Sequence, residues 1–409
     1  MVAPLNAAQP AAAAAGAAPL QALVERARAL SEDVQLEAVR AWKAAHPGRI
    51  AVGSLPVWSP RELIHAAGGL PVGVRGGGDG VEVVRGDAYF QSYICQLPRS
   101  TLELALDGSY DCLDGVIFPS TCDVIRNLSG MWQLLLPGKY VRYLDVPQSL
   151  REDLGGRFLE HELRTLRDEL GQLAGAPISD DALRASIAAY DANRRAIEEV
   201  YALRAATPWL APSWELYLVL RAGDVLPVEE HTAMLREYRE LAAASGRPME
   251  DQARVVLTGA FCERPPLGLI QTVERSGCAI VDDDLALGLR FIRGDVAPPP
   301  DEDPLAALAR AFLARGRRCP TMFLPDDAGQ AKGEALVEDA RRAGAEGVIF
   351  AAASFCDPAL LDQPMTAKAV EAAGLPSTSF KYAENTGQFQ PIREQTGAFA
   401  DAIKIWSDA

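Results

Sequence analysis

The chain has 409 residues, 49% of them hydrophobic, and 40 basic against 55 acidic side chains give a formal net charge of −15. That length exceeds one ordinary core, so two or three domains are expected. An acidic surface argues against nucleic acid and anionic membrane as partners, and an anionic ligand would need a local positive patch or helix N-termini.

No apolar run approaches the length of a membrane span. The opening Ala/Pro tract APLNAAQPAAAAAGAAPL carries no charge before Glu25. It has neither the basic start of a secretory signal nor the arginines of a transit peptide, so residues 1–19 read as a disordered tail and the expected location is cytoplasmic. Seven cysteines in that compartment are not a disulfide framework. They are buried small hydrophobes or metal ligands.

Leu20 to Ala45 carries apolar residues at helical spacing and reads as one amphipathic helix. A short strand at Ile50 to Gly53 then leads to a helix from about Pro60, with Ser59 as cap and Glu62 in the first turn, and to a second strand near Val72. Cys95 opens the helix of ICQLPRSTLELAL, Cys122 follows the strand GVIF, and VRYLDVP is a further strand. From Arg151 to about Ser245 the pattern is nearly all helix, with Ser179 capping the second segment. At Arg254 the alternation of strand and helix returns.

The later half repeats the earlier one. PPLGLIQTVERSGCAIV has the order of PRELIHAAGGLPV, and GVIFAAASFCD follows GVIFPSTCD. The expected fold is therefore α/β: two similar parallel-sheet domains at 20–150 and 251–409, with a helical segment at 151–250 between them. Cys122, Cys262 and Cys356 each stand a few residues past a strand, where open α/β sheets bind ligands. Cys95 opens a helix, where amide N–H groups favour a thiolate. This dispersed spacing fits neither a zinc ribbon nor a ferredoxin run, and leaves both a shared metal site and buried inert thiols open. Cys112, Cys278 and Cys319 have no motif around them. The glycines of RGGGDG read as a turn, the acids at 282–284 as a strand-end loop, and no phosphate cradle is visible.

The segments SPRELIHAAGGLPV, FQSYICQLPRST, FPSTCDVIRNLSGMW, YLDVPQ, FCERPPLGLIQTVERSGCAIVDDDL and SFCDP together resemble the benzoyl-CoA reductase and 2-hydroxyacyl-CoA dehydratase family, from about Leu20 to the end. QSYIC and CDVIRNLSGMW lean toward the smaller subunit of the cluster- and substrate-binding pair of the ATP-dependent reductases. The resemblance implies a [4Fe–4S] cluster between the two α/β domains, with Cys95, Cys122 and Cys356 as ligands by motif and Cys262 as the candidate fourth. Three thiolates leave one iron open to a non-cysteine ligand. The implied reaction is reductive dearomatisation of benzoyl-CoA to a cyclohexadiene carboxyl-CoA. The alternatives are a 2-hydroxyacyl-CoA dehydratase subunit and a non-catalytic electron-relay subunit.

The implied partners are a homologous cluster-binding subunit, an ATP-hydrolysing pair carrying ATP and Mg, ferredoxin as electron donor, and benzoyl-CoA or a related acyl-CoA. Around the cluster, Glu62 matches the family's Pro-x-Glu-Leu segment near which the acyl-CoA binds, or serves as a first-turn helix acid. Ser54 is expected near the thioester or cluster. Arg126 and Asn127 would contact cluster sulfides or substrate phosphate, or brace the helix. Trp58 and Trp132 are available to pack on a flat ring.

Overall fold

The computed structural model describes residues 9–259, 264–316, 332–383 and 389–407. The first half holds β1 (Ala51–Ser54), β2 (Leu70–Gly73), β3 (Gly115–Pro119) and β4 (Tyr140–Leu144), with α1 (Gln9–Ser31), α2 (Glu37–Ala45), α3 (Arg61–Ala66), α4 (Gln96–Leu106) and α5 (Asp123–Leu135). A helical stretch follows: α6 (Arg157–Ala174), α7 (Asp180–Ala206), α8 (Ser213–Ala222) and α9 (Val228–Ala243). The second half has β5 (Ala253–Thr258), β6 (Cys278–Asp283), β7 (Gly347–Ala353) and β8 (Ser377–Tyr382), with α10 (Leu267–Arg275), α11 (Leu287–Arg290), α12 (Pro304–Gly316), α13 (Glu334–Arg342), α14 (Asp357–Ala372) and α15 (Gln390–Ser407). Among the described residues no helix is long and apolar enough to cross a membrane.

Both halves form a four-stranded parallel sheet, in the orders β2-β1-β3-β4 and β6-β5-β7-β8. The same order of crossovers in each makes the repeated sequence a repeated fold. Inner strands such as β3 and β7 are buried along their whole length, as continuous apolar runs with helices on both faces must be. β4 and β8 are the half-exposed edges. The opposite edges, β2 and β6, are buried because the helical stretch covers them. Gly73 at the end of β2 donates its N–H to the Asp224 carbonyl (2.7 Å), and α7 packs along β6.

The structure departs from the sequence reading at the N-terminus and at one cap. Leu20 to Ala45 is not one helix: the chain breaks between α1 and α2, where Leu36 has a left-handed φ of 54°. Gln9 to Pro19, read as tail, continues α1 toward the N-terminus, as the high helix propensity of its alanines favours. α1 then packs on α8 and α9, burying Leu20, Leu23 and Val24. Ser179 caps α7, accepting the Ala182 N–H at 3.1 Å. Ser59 does not cap α3; Pro60 holds that position, and the Ser59 hydroxyl is buried without a partner.

The halves and the helical stretch meet at a buried carboxylate. Asp224, after α8, accepts from Arg61 at 2.8 Å and from Arg75 at 3.1 and 3.2 Å, and lies 3.6 Å from Arg221. Arg61 begins α3 and Arg75 follows β2, while Arg221 also donates to the Leu285 carbonyl in the second half. Burial alone would raise the Asp224 carboxyl; Arg75, Arg221 and Arg61 overcome it and hold the group far below the usual carboxylate range. A Cβ at position 73 would collide with this carboxylate, so Gly73 is what lets Asp224 reach the strand end. A second set seals β6: Arg204 to Asp283 and Arg290 to Asp282, both at 2.7 Å, with the Tyr201 hydroxyl on Asp283 at 3.0 Å.

Breaking a buried ion pair leaves uncompensated charge, at a cost of about 3–5 kcal/mol. Asp224→Asn is therefore expected to lower the unfolding free energy by that order, and the denaturant midpoint with it, whereas Asp153→Asn, at an exposed pair, leaves both in place; equal midpoints for the two variants would contradict the central role of Asp224.

A pH effect follows from Glu274, whose carboxyl burial pushes up to about 7 against the N–H of Ser213. A carboxyl raised in the fold stabilises when protonated. Its contribution is full below the unfolded value near 4.5 and is lost as pH rises through 7. Glu274→Gln should raise the unfolding temperature at pH 8 and not at pH 4, as scanning fluorimetry at both pH values would record.

Candidate functional site

The same device is built twice. At the end of β3 the N–H of Ser120 donates to the carbonyl of Leu144, the last residue of β4; at the end of β7 the N–H of Ser354 donates to that of Tyr382, the last residue of β8 (2.8 and 2.7 Å). In each case the third residue past the strand is a cysteine in the N-cap position of the next helix, Cys122 for α5 and Cys356 for α14. Cys95 is likewise the N-cap of α4, which packs along α5. In a parallel sheet the helices run against the strands, so these N-termini gather at the carboxyl ends, where ligands bind. Phe355, between strand and cysteine, takes a left-handed φ of 67°, a cost of about 1–3 kcal/mol for a non-glycine residue that commonly marks functional loops.

The carboxyl ends of the two sheets face each other. Trp58, on the loop after β1, packs its ring against Phe312 (4.7 Å between centroids) and Phe291 (6.1 Å) of the second half. Gly288 sits so close to the Val57 carbonyl that no Cβ would fit. Cys122 and Cys356 are near enough to interact electrostatically. Burial pushes the Cys122 thiol up, the N–H groups of Ile125 and Val124 pull it down, and the neighbouring Cys356 pushes it up again. Cys356 is buried, and Cys95 and Cys122 are half-buried. A nearby metal cation would reverse the repulsion between the thiolates and hold both deprotonated.

Among the described residues no three His, Cys, Asp or Glu side chains close around a single metal ion. Cys95, Cys122 and Cys356 stand at three separate helix N-termini. Cys262 and Cys319 lie outside the described residues. Cys278 is a buried strand residue within β6, and Cys112 is half-buried away from the strand ends.

Most of the other side chains expected at the site are engaged elsewhere. Glu62 is 3% exposed, with its carboxylate 2.7 Å from Arg194, which also holds Asp191 at 2.5 Å. Ser54 is the last residue of β1, and its hydroxyl faces the Val72 carbonyl at 3.5 Å. Trp58 and Trp132 are both buried; Trp132 is spent on Tyr110 and Phe118 in the core beneath α5. Arg126 and Asn127 are exposed, with the Arg126 guanidinium over the Tyr143 ring at 5.5 Å. The acids 282–284 are each taken: Asp282 and Asp283 by arginines, and Asp284 by the Thr258 hydroxyl and the Gly259 N–H, both at 2.8 Å. Burial would raise the Asp282 carboxyl, but Arg290, Arg293 and Arg204 hold it down at about 2.

Sequence reasoning missed Thr121, whose hydroxyl donates to the Pro56 carbonyl at 3.1 Å and ties the Cys122 loop to the loop after β1. It also missed the arginines around Asp224.

Two parallel α/β units, each with a thiol at the helix N-terminus that follows its third strand, make a two-lobed architecture. The chain belongs to the 2-hydroxyglutaryl-CoA dehydratase D-component family, whose model matches residues 56–403. It is 53% identical to a benzoyl-CoA reductase subunit of Thauera aromatica over 385 residues, covering 94% of this chain and 99% of that one. Against the beta subunit of lactoyl-CoA dehydratase of Anaerotignum propionicum it is 31% identical over 360 residues, 88% of this chain and 93% of the other. Against the (R)-phenyllactyl-CoA dehydratase beta subunit of Clostridium sporogenes it is 29% identical over 357 residues, 87% and 92% of the two chains.

Proposed function

We propose that the chain is the iron–sulfur subunit of an ATP-dependent benzoyl-CoA reductase, holding a [4Fe–4S] cluster on Cys95, Cys122 and Cys356. The observation that carries this reading is the pair Cys122 and Cys356, set by the same strand-end hydrogen bond in both halves and electrostatically coupled. The choice of reductase over dehydratase rests on 53% identity against 29–31%. The chain is accordingly a subunit of an oxidoreductase complex, working with a homologous cluster-binding subunit, an ATP-hydrolysing pair and ferredoxin.

When bound, such a cluster supplies electrons one at a time at low potential. The chain's own part is to hold and shield it. The three cysteines stand at the positive ends of α4, α5 and α14. The N–H groups of Val124 and Ile125 act on the Cys122 thiol from the first turn of α5 and pull it down against burial, and burial of Cys356 keeps water from that side. The Trp58–Phe312 contact joins the two halves, and Thr121 ties the Cys122 loop to the loop that carries Trp58, so the two together set the spacing of the thiols.

A second reading, an electron relay to a substrate held by the homologous subunit, is favoured by one observation. Trp58 and Trp132, the rings available to flank an aromatic acyl group, are both committed to internal packing.

Anaerobically prepared chain is expected to carry about four irons. Cys95→Ser, Cys122→Ser and Cys356→Ser should each lose them, and Cys112→Ser should retain them; full iron in the triple variant refutes the ligand set. In an anaerobic assay the assembled complex should reduce benzoyl-CoA with ATP consumption and leave 2-hydroxyacyl-CoAs hydrated, while the isolated chain reduces neither. Dehydration of a 2-hydroxyacyl-CoA by the complex would assign it to the other branch of the family.

A further inference from the structure

A cavity of about 30 Å³ lies beside the Asp224 junction, between the α1–α2 connection and the ends of β2 and α8. Its wall includes Asp33, Arg75, Gly76, Tyr110, Arg221 and Arg264. One water needs about 10–15 Å³ of such space, so there is room for about two waters or one monatomic anion.

Its charge is unbalanced. Arg61, Arg75 and Arg221 all turn to the single carboxylate of Asp224. Asp33, the other acid on the wall, brings a second negative charge and accepts the Ala38 N–H at 3.0 Å, and Arg221 also lies over the Tyr217 ring at 5.1 Å, so the three guanidiniums of Arg61, Arg75 and Arg221 meet two carboxylates. The Nε of Arg221 is buried with no hydrogen-bond partner, and that side chain is only 6% exposed. Burial disfavours the charged form of Arg75, and the attraction of Asp224 does not make up for burial plus repulsion from Arg221 and Arg61. A guanidinium does not lose its proton in a protein, so the excess positive charge calls for a counter-ion rather than neutralisation.

We infer that this cavity binds a small inorganic anion of halide size, held between the Arg75 and Arg221 guanidiniums. The site closes the charge balance of the junction that joins the two halves and the helical stretch.

Crystals of the full chain soaked in bromide test it directly. An anomalous peak is expected in this cavity, in contact with Arg75 and Arg221. In solution the unfolding temperature should rise with the logarithm of chloride concentration when ionic strength is held constant with gluconate, too bulky to enter. That dependence should fall by half or more in Arg221→Met. The bromide crystal keeps the test decisive if that variant fails to fold. A cavity holding only water in bromide-soaked crystals, or bromide confined to the surface, overturns the inference, as does an unfolding temperature indifferent to chloride.

Discussion

The fold depends on how one carboxylate is surrounded. Asp224 gathers an arginine from the start of α3, one from the loop after β2 and one from the end of α8, and the last of these reaches on to the second half through the Leu285 carbonyl. Burying ions is expensive, and such a junction persists only when geometry and further hydrogen bonds compensate. Here they do, through the Gly223 and Leu285 carbonyls and the absence of a Cβ at position 73. Register follows from this. The junction fixes β2 against the helical stretch, and the Asp282–Asp283 set fixes β6 in the same way. The carboxyl ends of the two sheets are left nowhere to face but each other.

Much of this was legible from the residues. The GVIF repeat marked the strands, and the Pro-started helices after β1 and β5 marked the crossover pattern, because parallel strands read as unbroken apolar runs. The cysteines stood out because a polarisable, reactive side chain just past a buried strand is an unusual use of a loop. What could not be read was long-range pairing. Glu62 looked like a free acid at a helix start, yet its partner Arg194 lies 132 residues away. Trp58 and Trp132 looked available for a ligand, yet each meets aromatic rings from distant segments, and no local pattern distinguishes a ring in a pocket from a ring in a core. The break between α1 and α2 escaped because apolar periodicity resumes almost in phase after it.

The duplicated unit also explains why the thiols differ in their surroundings. Cys122 follows Ser-Thr and Cys356 follows Ser-Phe. Thr121 is anchored to the neighbouring loop, whereas Phe355 is exposed and held in a left-handed conformation. One half presents its sulfur on a braced loop and the other on a strained one.

Because the coupled thiols come from opposite halves of the chain, a centre shared between them constrains biosynthesis. When the ribosome has completed the first sheet and its helices, Cys95 and Cys122 are in place but their counterpart has not been made. A group bridging Cys122 and Cys356 can be inserted only after translation has passed position 356 and the second sheet has docked on the first. Loading of the proposed centre would then be post-translational, with the early thiols open to oxidant or stray metal until the second sheet docks.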